Sequence, residues 1–455
     1  MDRDSFGHVT PETLGLFTDL YELRMMQGYL ARSIRRRRPS AASSAPCRPT
    51  GATWSRPAWS RCWHSSTPSR SGDRALAYLR ELGFEEFFLE YLADFSFSGE
   101  IRAVPEGTPV FPDEPLLEVT APLPEGQLLE TIVLNQLGFQ TLIATKARRM
   151  RDIVNREGDG QTLADFGTRR AHGTDAGVKA ARAAYLGGFD GTSNVAAGEL
   201  FDIPTIGTMA HAWVQSFPSE RAAFEAFVDE YGAETILLVD TYDTLEGTRL
   251  ALEVTEDRGV DIRGIRLDSG DLVDLSKAVE EIAPDLATFV SSGLDEYAIK
   301  DFLDAGGIAS GFGPGTALTT SADAPSLDIV YKLVAVEEDG SLEPSMKLST
   351  GKVTYPGQKD LRRQRSGERY TGDQIGTRGE SLPGESLLEA VVENGARAHT
   401  GSSLETARTR ALESVRRLPK ACRAIETPDP YPVEISATLA AETEAVQAEL
   451  ESSRR

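Results

Sequence analysis

The sequence has few cysteines, few histidines and no long apolar run. The three cysteines, Cys47, Cys62 and Cys422, show no metal-ligand spacing, which favours a protein of a reducing compartment. No stretch approaches the ~20 apolar residues that a membrane-spanning helix needs. The first fifteen residues are acidic and polar, unlike a secretory signal peptide. These features predict a cytoplasmic protein that does not enter a membrane.

Positive charge is also scarce. The 455 residues include 48 Lys and Arg against 70 Asp and Glu, which gives a formal net charge of −22 at pH 7. Such a charge excludes a general binder of nucleic acid or of anionic membranes. The shortage of Lys beside abundant acids is typical of an acidic, salt-adapted proteome. The length allows two or three domains, and 40% hydrophobic residues is ordinary for a globular protein.

Residues 31–72 contain no Asp or Glu, whereas the chain average predicts about six in such a window. The same window holds nine Arg, ten Ser, three of the four Trp and two of the three Cys. Three interpretations are open: a basic binding arm, a disordered insert, or translation in the wrong reading frame. The abrupt change of composition favours the third.

The middle of the chain repeats a strand, a turn and an amphipathic helix. Such repeats predict parallel strands with crossover helices, and the lack of a Gly-rich dinucleotide turn favours a barrel over an open sheet. In a barrel the chemistry lies on the loops that follow the strands. The predicted strands are Ala164–Phe166, Ile236–Val239, Ile262–Leu267, Phe289–Val290 and Gly307–Ala309.

Several of these loops carry charged residues. Arg169 and Arg170 follow the first strand and can clamp a carboxylate or phosphate, although a surface ion-pair network is the alternative. Asp240 and the pair Asp268-Ser269 follow two successive strands. Carboxylates there can bind Mg²⁺ through water or hold the hydroxyls of a ribose, and plain helix N-caps are the alternative.

Two further loops carry a histidine and several glycines. His211 follows Gly207-Thr208 at a strand-like end, where an imidazole can act as a nucleophile or proton shuttle, or can simply cap a helix. Gly313, Gly315 and Thr316 lie in a loop whose N–H groups can approach a phosphate, unless the loop is merely flexible. The Gly-rich stretch 187–194 gives a weaker signal of the same kind.

Taken together, these stretches resemble the nicotinate phosphoribosyltransferase family. They occur in the family's order and cover nearly the whole chain except residues 31–72, and the ordered set is highly specific. The similar stretches are LFTDLYEL from Leu16, FSGEIRAVPEGTPVF from Phe97, LIATKARR from Leu142, DFGTRRAHG from Asp165, GGFDGTSN from Gly187, GTMAHAWVQSF from Gly207, LLVDTYDT from Leu237, IRLDSGDL from Ile265, GFGPGT from Gly311 and YKLV from Tyr331.

The resemblance implies an α/β fold in which an irregular, TIM-like barrel over residues 141–335 carries the active site. A second, smaller α/β domain is built from residues 1–140 and 336–455. The implied reaction joins nicotinate to phosphoribosyl diphosphate, giving nicotinate mononucleotide and diphosphate, in NAD biosynthesis. ATP hydrolysis is coupled through a phosphorylated histidine, with Mg²⁺, and the family resemblance implies a homodimer.

The resemblance also assigns roles to residues. His211 matches the phosphorylated histidine. The other matched positions are substrate contacts, namely Tyr21, Thr208 and Arg266 for nicotinate, Thr316 for phosphoribosyl diphosphate, and Arg169 and Arg170 near the substrate. The alternatives are an enzyme that uses nicotinamide or quinolinate, and a catalytically inactive barrel protein. The stretch around His211 speaks against quinolinate, since quinolinate enzymes need no ATP.

Family members carry an apolar stretch close to LVAAGL where this chain has residues 31–72. Residues 52–64 can be encoded so that reading from the third base gives one Asp followed by Leu, Val, Ala and Gly residues, which restores this stretch. The sequence as written replaces those apolar residues by Arg, Ser and Pro, which cannot bury comparable surface. We therefore interpret residues 31–72 as an out-of-frame translation.

Overall fold

The protein divides into two compact units. The computed structural model describes residues 16–32, 37–44, 73–348, 354–398 and 403–452, and for 37–44 it describes the backbone only. The terminal unit comprises residues 1–142 and 326–455, and the central unit comprises residues 143–325. The sequence predicts domain boundaries at 140/141 and 335/336. It also predicts that the domain built from both ends is the smaller, whereas the terminal unit has more residues than the central one.

The secondary structure alternates between sheet-rich and helical stretches. The strands are β1 Arg37–Ser44, β2 Glu100–Ala103, β3 Pro115–Pro122, β4 Thr162–Asp165, β5 Gly191–Thr192, β6 Ile236–Leu238, β7 Gly264–Leu267, β8 Thr288–Ser291, β9 Gly311–Gly313, β10 Ile329–Leu333, β11 Ala335–Glu338, β12 Ser341–Pro344, β13 Lys359–Ser366, β14 Arg369–Thr377, β15 Glu385–Ser386, β16 Glu389–Glu393, β17 Ala396–Arg397 and β18 Val433–Ile435. The helices are α1 Leu20–Ala31, α2 Asp73–Glu81, α3 Glu86–Ala93, α4 Leu123–Leu128, α5 Glu130–Glu157, α6 Thr174–Gly187, α7 Val195–Phe201, α8 His211–Gln215, α9 Glu220–Tyr231, α10 Thr244–Arg258, α11 Leu272–Ile282, α12 Glu296–Asp304, α13 Thr316–Thr320, α14 Leu404–Arg417 and α15 Ala437–Ser452. Within the described ranges, none of these helices combines the length and the apolar character needed to cross a membrane.

The terminal unit is built around two sheets that share one core. The first has the order β10-β1-β3-β2-β16-β17 with antiparallel neighbours throughout. The second has the order β15-β13-β14-β18, in which β14 and β18 are parallel. Fully buried side chains of both sheets lie in one cluster, including Ile101, Leu117 and Val119 from the first and Leu361 and Ile375 from the second. The antiparallel strands predicted between residues 97 and 120 are confirmed by β2 and β3.

Strand β1 belongs to the segment 31–72, and its composition suits a central strand poorly. It lies between β3 and β10 and pairs with both. Its sequence RRPSAASS has no β-branched or aromatic residue, the types that favour strands. Pro39 lies opposite Thr120 and lacks the N–H that a central strand donates. This position in the sheet therefore suits an apolar strand, which supports the out-of-frame interpretation. Residues 33–36 and 45–72 lie outside the described residues.

We expect resequencing of the gene to reveal a compensating insertion and deletion at the two edges of residues 31–72. A chain expressed in the restored frame supplies apolar residues to the sheet, so its melting temperature and soluble yield should both exceed those of the chain as written. Thermal denaturation of the two chains under identical conditions measures the difference. Gene sequence that confirms the present frame, with no change at either edge, would refute the idea.

A buried ion pair joins β13 and β14 in the terminal unit. The Arg363 guanidinium donates to Asp373 from Nε (2.9 Å to Oδ1) and from Nη2 (2.5 Å to Oδ2). Its carbon lies 5.0–5.7 Å from the ring centroids of Phe111, Tyr370 and Tyr431. Glu114 is fully buried and accepts a hydrogen bond from the Phe111 N–H at 2.9 Å. Burial, and then the charge of Asp373, raise the pKa of Glu114 well above its usual value.

We expect Glu114→Gln to stabilise the protein at pH 8 and to change its stability little at pH 5. Because the pKa of Glu114 is raised in the folded state, its contribution to stability is fully present below the ordinary pKa of 4.5. That contribution is lost as the pH rises through the folded-state pKa. The Gln side chain resembles the protonated acid at every pH. Melting temperatures of both proteins at the two pH values test this, and a difference that does not grow with pH contradicts it.

The central unit is a curled, parallel α/β sheet. Its strand order is β5-β4-β9-β8-β7-β6, and every neighbouring pair is parallel. Helices α10, α11 and α12 connect β6 to β9 in succession. Strand residues in the core of this unit are completely buried, as Leu237, Leu238, Ile265 and Leu267 show. The predicted class, α/β with parallel strands and crossover helices, is confirmed.

Two strands of the central unit differ from the prediction. The last strand lies at Gly311–Gly313, whereas Gly307–Ala309 was predicted, so the prediction was four residues too early. Glycine weakens the sequence signal for a strand, but the sheet requires it here: a Cβ on Gly311 would lie 2.8 Å from Phe289 Cδ1 and 3.0 Å from Thr162 O. In addition, Gly191–Thr192 forms the short strand β5 within the Gly-rich stretch 187–194, for which the sequence predicted a turn.

Candidate active site

The predicted site residues of the central unit follow the carboxyl ends of its parallel strands. Arg169 and Arg170 come after β4, Asp240 after β6, Asp268 after β7 and Thr316 after β9. The carboxyl ends of parallel strands meet at one edge of a sheet, where ligands of α/β folds bind. The contacts below join several of these residues directly.

Two neighbouring acids, Asp240 and Asp268, lie at the ends of β6 and β7, and hydrogen bonds to Asp240 join the two ends. Asp240 Oδ2 accepts from the Asp268 N–H at 2.8 Å and from the Ser269 hydroxyl at 2.7 Å. The Ser291 hydroxyl, at the end of β8, donates to Asp268 Oδ1 at 2.5 Å. Asp240 Oδ1 is buried and has no hydrogen-bond partner within the described part of the chain. The predicted residues Asp240, Asp268 and Ser269 are therefore brought together, and one carboxylate oxygen remains for a ligand.

His211 lies between this acidic pair and a hydroxyl. It is the first residue of α8, and its Nδ1 lies 3.2 Å from Thr241 Oγ1. Its Nε2 lies 3.8 Å from Asp268 Oδ2, and the imidazole side chain is 38% exposed. A histidine that only capped a helix or filled the core would not need both neighbours. Thr208 Oγ1, by contrast, donates to the Met209 carbonyl at 3.1 Å.

Arg266 points from β7 towards the same loops. Its Nη2 donates to the Met209 carbonyl at 3.2 Å, and its buried Nε has no partner among the described residues. The guanidinium carbon lies 6.0 Å from the centroid of the Phe166 ring. Burial lowers the pKa of Arg266, and the charges of Asp268 and Asp240 oppose that change. Arg266 stays a cation, with donor capacity left for an anionic ligand.

The arginine pair lies on an exposed turn held by a buried acid. Arg169 and Arg170 belong to the short 3₁₀ helix Thr168–Arg170 and are both exposed. Neither makes an ion pair with a residue that the structure describes, which favours ligand binding over the alternative of a surface ion-pair network. Asp165, the last residue of β4, accepts from the Gly167 N–H at 2.8 Å and so fixes the start of this turn.

The glycine-rich loop lies against the same turn. The Phe166 N–H donates to the Pro314 carbonyl at 3.0 Å, and the Thr319 hydroxyl donates to the Gly315 carbonyl at 3.2 Å. A Cβ on Gly313 would lie 2.4 Å from Phe166 Cδ2, so no larger residue fits there. Thr316 begins the five-residue helix α13. Gly313, Gly315 and Thr316 thus lie beside the arginine turn at the end of β9.

Tyr21 belongs to the terminal unit, unlike the other predicted site residues. It lies on α1 and is 48% exposed. Partial burial, and then the charges of Glu130 and Glu22, raise the pKa of its hydroxyl above the usual range. The phenol is therefore uncharged and can offer both an aromatic face and a hydroxyl.

Four contributors were missed by the sequence prediction: Asp165, Phe166, Thr241 and Ser291. The first three lie inside the stretches that carry the family resemblance, so the sequence indicated that they lie near the site. Their contacts, however, depend on how neighbouring strands pair. Ser291 is buried at the end of β8 and binds a residue 23 positions away. No signal in the sequence distinguishes it from an ordinary strand-end serine.

The fold and the site define an α/β enzyme with arginines, carboxylates and a histidine gathered at the ends of parallel strands. Family models match three parts of the chain: the nicotinate phosphoribosyltransferase N-terminal domain over residues 66–138, the family's main model over 161–370 and its C-terminal domain over 377–442. The N-terminal match begins only at residue 66, so most of the segment 31–72 lies outside it.

Individual proteins agree with these matches. Nicotinate phosphoribosyltransferase pncB2 of Mycobacterium tuberculosis is 44% identical over 434 residues, covering 92% of this chain and 91% of that protein. The nicotinate phosphoribosyltransferase of Bacillus subtilis is 43% identical over 67% of this chain and 64% of its own length. The crystal structure of human nicotinic acid phosphoribosyltransferase has a TM-score of 0.82 and 28% identity, covering 94% of this chain and 99% of that one.

The fold alone is shared more widely. A nicotinate-nucleotide pyrophosphorylase from Pyrococcus furiosus matches with a TM-score of 0.71 at 24% identity, covering 92% of this chain and 99% of that one. At the level of sequence and structure together, the chain belongs to the nicotinate phosphoribosyltransferase family. The family predicted from the sequence is confirmed, and so is the predicted class of enzyme.

Proposed function

We propose that this chain joins nicotinate to phosphoribosyl diphosphate, giving nicotinate mononucleotide and diphosphate for NAD biosynthesis, with ATP hydrolysis coupled through His211. The observation that carries the coupling is the position of His211, between Thr241 and Asp268 at the sheet edge that also bears the arginine turn and the glycine loop. The protein acts in the cytoplasm as a ligase-type glycosyltransferase.

The transfer step needs charge stabilisation more than acid–base chemistry. The pyridine nitrogen attacks the anomeric carbon as the bond to diphosphate breaks, so positive charge builds on the ribose and negative charge on the leaving group. Arg169 and Arg170 supply cations for the diphosphate, and the backbone around Gly313 and Gly315 supplies N–H donors beside Thr316. Neither arginine forms an ion pair with any residue in the described ranges, which supports this role.

The coupling step uses the free nitrogen of His211. With the ring proton on Nδ1 and donated to Thr241 Oγ1, Nε2 presents its lone pair to the γ-phosphorus of ATP. The N–P bond forms as the bond to ADP breaks. This step leaves a positive charge on the imidazole ring, and Asp268 Oδ2, 3.8 Å from Nε2, stabilises that charge until the phosphate is transferred to water.

The oxygen ligands at the ends of β6 and β7 suit Mg²⁺. The buried Asp240 Oδ1 lacks a partner in the described part of the chain, and Asp268 presents a second carboxylate. Mg²⁺ is usually held by one or two carboxylates together with substrate phosphates, so a larger protein cluster is not required. Among the described residues no such cluster of three or more His, Cys, Asp or Glu exists. When bound, the ion would neutralise diphosphate charge.

The nicotinate pocket combines a cation with an aromatic face. Arg266 has unused donors for the carboxylate, and the Phe166 ring beside it offers a surface on which a pyridine can stack. Thr208 and Tyr21 are the other proposed contacts.

The family resemblance supports a homodimer with active sites near its interface, and the exposure of Tyr21 on α1 is consistent with such a contact. It likewise supports an irregular α/β barrel for the curled sheet, and a second α/β domain for the terminal unit.

The direct test is a turnover assay with phosphoribosyl diphosphate, ATP and each of three pyridines. Nicotinate should release diphosphate and yield the mononucleotide, whereas nicotinamide and quinolinate should give little product. Preference for nicotinamide would identify a nicotinamide-using enzyme, and preference for quinolinate without ATP would identify a quinolinate-using enzyme. No diphosphate with any pyridine would identify a catalytically inactive protein and reject the proposal.

A further inference from the structure

We propose that Asp165 is a positioning residue for phosphoribosyl diphosphate: its buried carboxylate holds together the turns that bind the substrate's phosphates, at a cost in stability. The inference rests on the proposed function, because it assigns the phosphates to the arginine turn and the glycine loop. Asp165 itself contacts no substrate in this scheme. It acts through the backbone and hydroxyl groups that bind its two oxygens.

Asp165 is completely buried at the end of β4. Oδ1 accepts from the Gly167 N–H, and Oδ2 accepts from the Thr192 hydroxyl, each at 2.8 Å. Within the described residues, no cationic side chain interacts with this carboxylate. Burial raises the pKa of Asp165, and the two hydrogen bonds oppose that change. A buried carboxylate without a cationic partner is costly, and such groups persist where a function requires them.

The first oxygen fixes the arginine turn. The Gly167 N–H that it accepts from lies two residues before Arg169 and opens the short 3₁₀ helix. Gly167 is also confined from its other side, since a Cβ there would lie 2.1 Å from Thr319 Cγ2 and 2.9 Å from Gly315 O. The arginine turn and the glycine loop are therefore packed together at Gly167, with the Asp165 carboxylate behind them.

The second oxygen fixes a neighbouring turn. The Thr192 hydroxyl donates to Asp165 and accepts from the Asn194 N–H at 3.0 Å. The Asn194 side chain in turn caps α7 by accepting from the Ala197 N–H at 3.0 Å. A single carboxylate thus links the ends of β4 and β5. Asn in its place can accept from only one of the two donors, because its second atom is an NH₂ group.

This arrangement predicts opposite effects of Asp165→Asn on stability and on substrate affinity. The NH₂ group of the variant breaks or reverses one of the two hydrogen bonds, but the variant also loses an uncompensated buried charge, so its melting temperature should equal or exceed that of the wild type. Its affinity for phosphoribosyl diphosphate should nevertheless fall about tenfold, since a displacement of ~1 Å in a positioning group can cost up to ~10²-fold. A residue with a purely structural role would show the reverse pattern.

The experiment measures the Kd of phosphoribosyl diphosphate with Mg²⁺ by calorimetry, together with thermal melting, for the full-length wild type and three variants. Asp165→Asn should show the weaker Kd with an unreduced melting temperature. Thr192→Ser keeps the hydroxyl and should match the wild type, whereas the isosteric Thr192→Val removes it and should weaken the Kd about as much as Asp165→Asn.

An unchanged Kd in Asp165→Asn overturns the inference. So does a lower melting temperature in that variant, because it assigns Asp165 to the stability of the fold, and so does equal behaviour of Thr192→Ser and Thr192→Val. Failure of the proposed function is distinguishable from all of these. In that case the wild type itself neither binds phosphoribosyl diphosphate nor releases diphosphate from it.

Discussion

Replacing His211 by Ala should abolish the coupling of ATP hydrolysis to product formation while leaving the fold intact. The side chain is 38% exposed and contributes no core packing, so the melting temperature should change little. Loss of Nε2 removes the proposed nucleophile for the γ-phosphate. With [γ-³²P]ATP, acid-labile labelling of the protein should fall to background, and ATP hydrolysed per product should fall towards zero.

The chain offers a matched control for this experiment. His172 is an exposed histidine of the same unit, and His172→Ala should retain the acid-labile label. His211→Asn is the conservative variant, since its amide can still meet the Thr241 hydroxyl but carries no nucleophilic nitrogen. Undiminished labelling or coupling in either His211 variant would show that the histidine is not the phosphate acceptor.

Replacing Arg266 by Ala should raise the KM for nicotinate about ten- to a hundredfold, with little effect on any residual use of nicotinamide. A charge-assisted hydrogen bond in a partly buried pocket contributes roughly 1.5–3 kcal/mol, which corresponds to that range. The uncharged amide gains much less from a cation. Initial rates with each pyridine at saturating phosphoribosyl diphosphate give the two KM values.

Two controls separate selectivity from general damage. Arg263→Ala removes an exposed arginine near the start of the same strand, where it pairs with Glu234 at 3.6 Å, and should leave both KM values unchanged. Arg266→Lys keeps the charge but loses the paired donors, and should recover only part of the affinity. If Arg266→Ala weakens nicotinate and nicotinamide equally, Arg266 binds another ligand, such as the diphosphate.

The parts of the fold that the sequence predicted are those with a strong local period. Strand β6 is a short, buried apolar run, β7 is apolar and buried apart from Arg266, and each is followed by an amphipathic helix. Strand β9 was misplaced because its sequence is Gly-Phe-Gly, which resembles a loop. The need for those glycines arises from Phe289 and Phe166, which are distant in sequence. A prediction from neighbouring residues in the sequence therefore cannot show that glycine is required at these positions.

The same distinction applies to the site. His211, Arg266 and Asp268 were predicted because their residue types are unusual at strand ends and match the family. The support beneath them was not predicted. Asp165 reaches Thr192 across 27 residues, and Ser291 reaches Asp268 across 23. Such contacts depend on which strands are neighbours in the sheet, a property that the alternation of strands and helices leaves open.

The pairing of chain ends in the terminal unit has a consequence for the time course of synthesis. Strand β2 pairs with β16, so Ile101 cannot pair until Val392 has been synthesised. Likewise, β14 pairs in parallel with β18, which is made later. At ~5–20 residues per second, a ribosome needs roughly 15–60 seconds to make the intervening chain. During that interval β2 has an open edge, whereas the central unit, residues 143–325, is complete before β16 is made at Glu389–Glu393. We therefore expect the nascent chain to depend on chaperones mainly through its first 140 residues, and the central unit to complete its folding first.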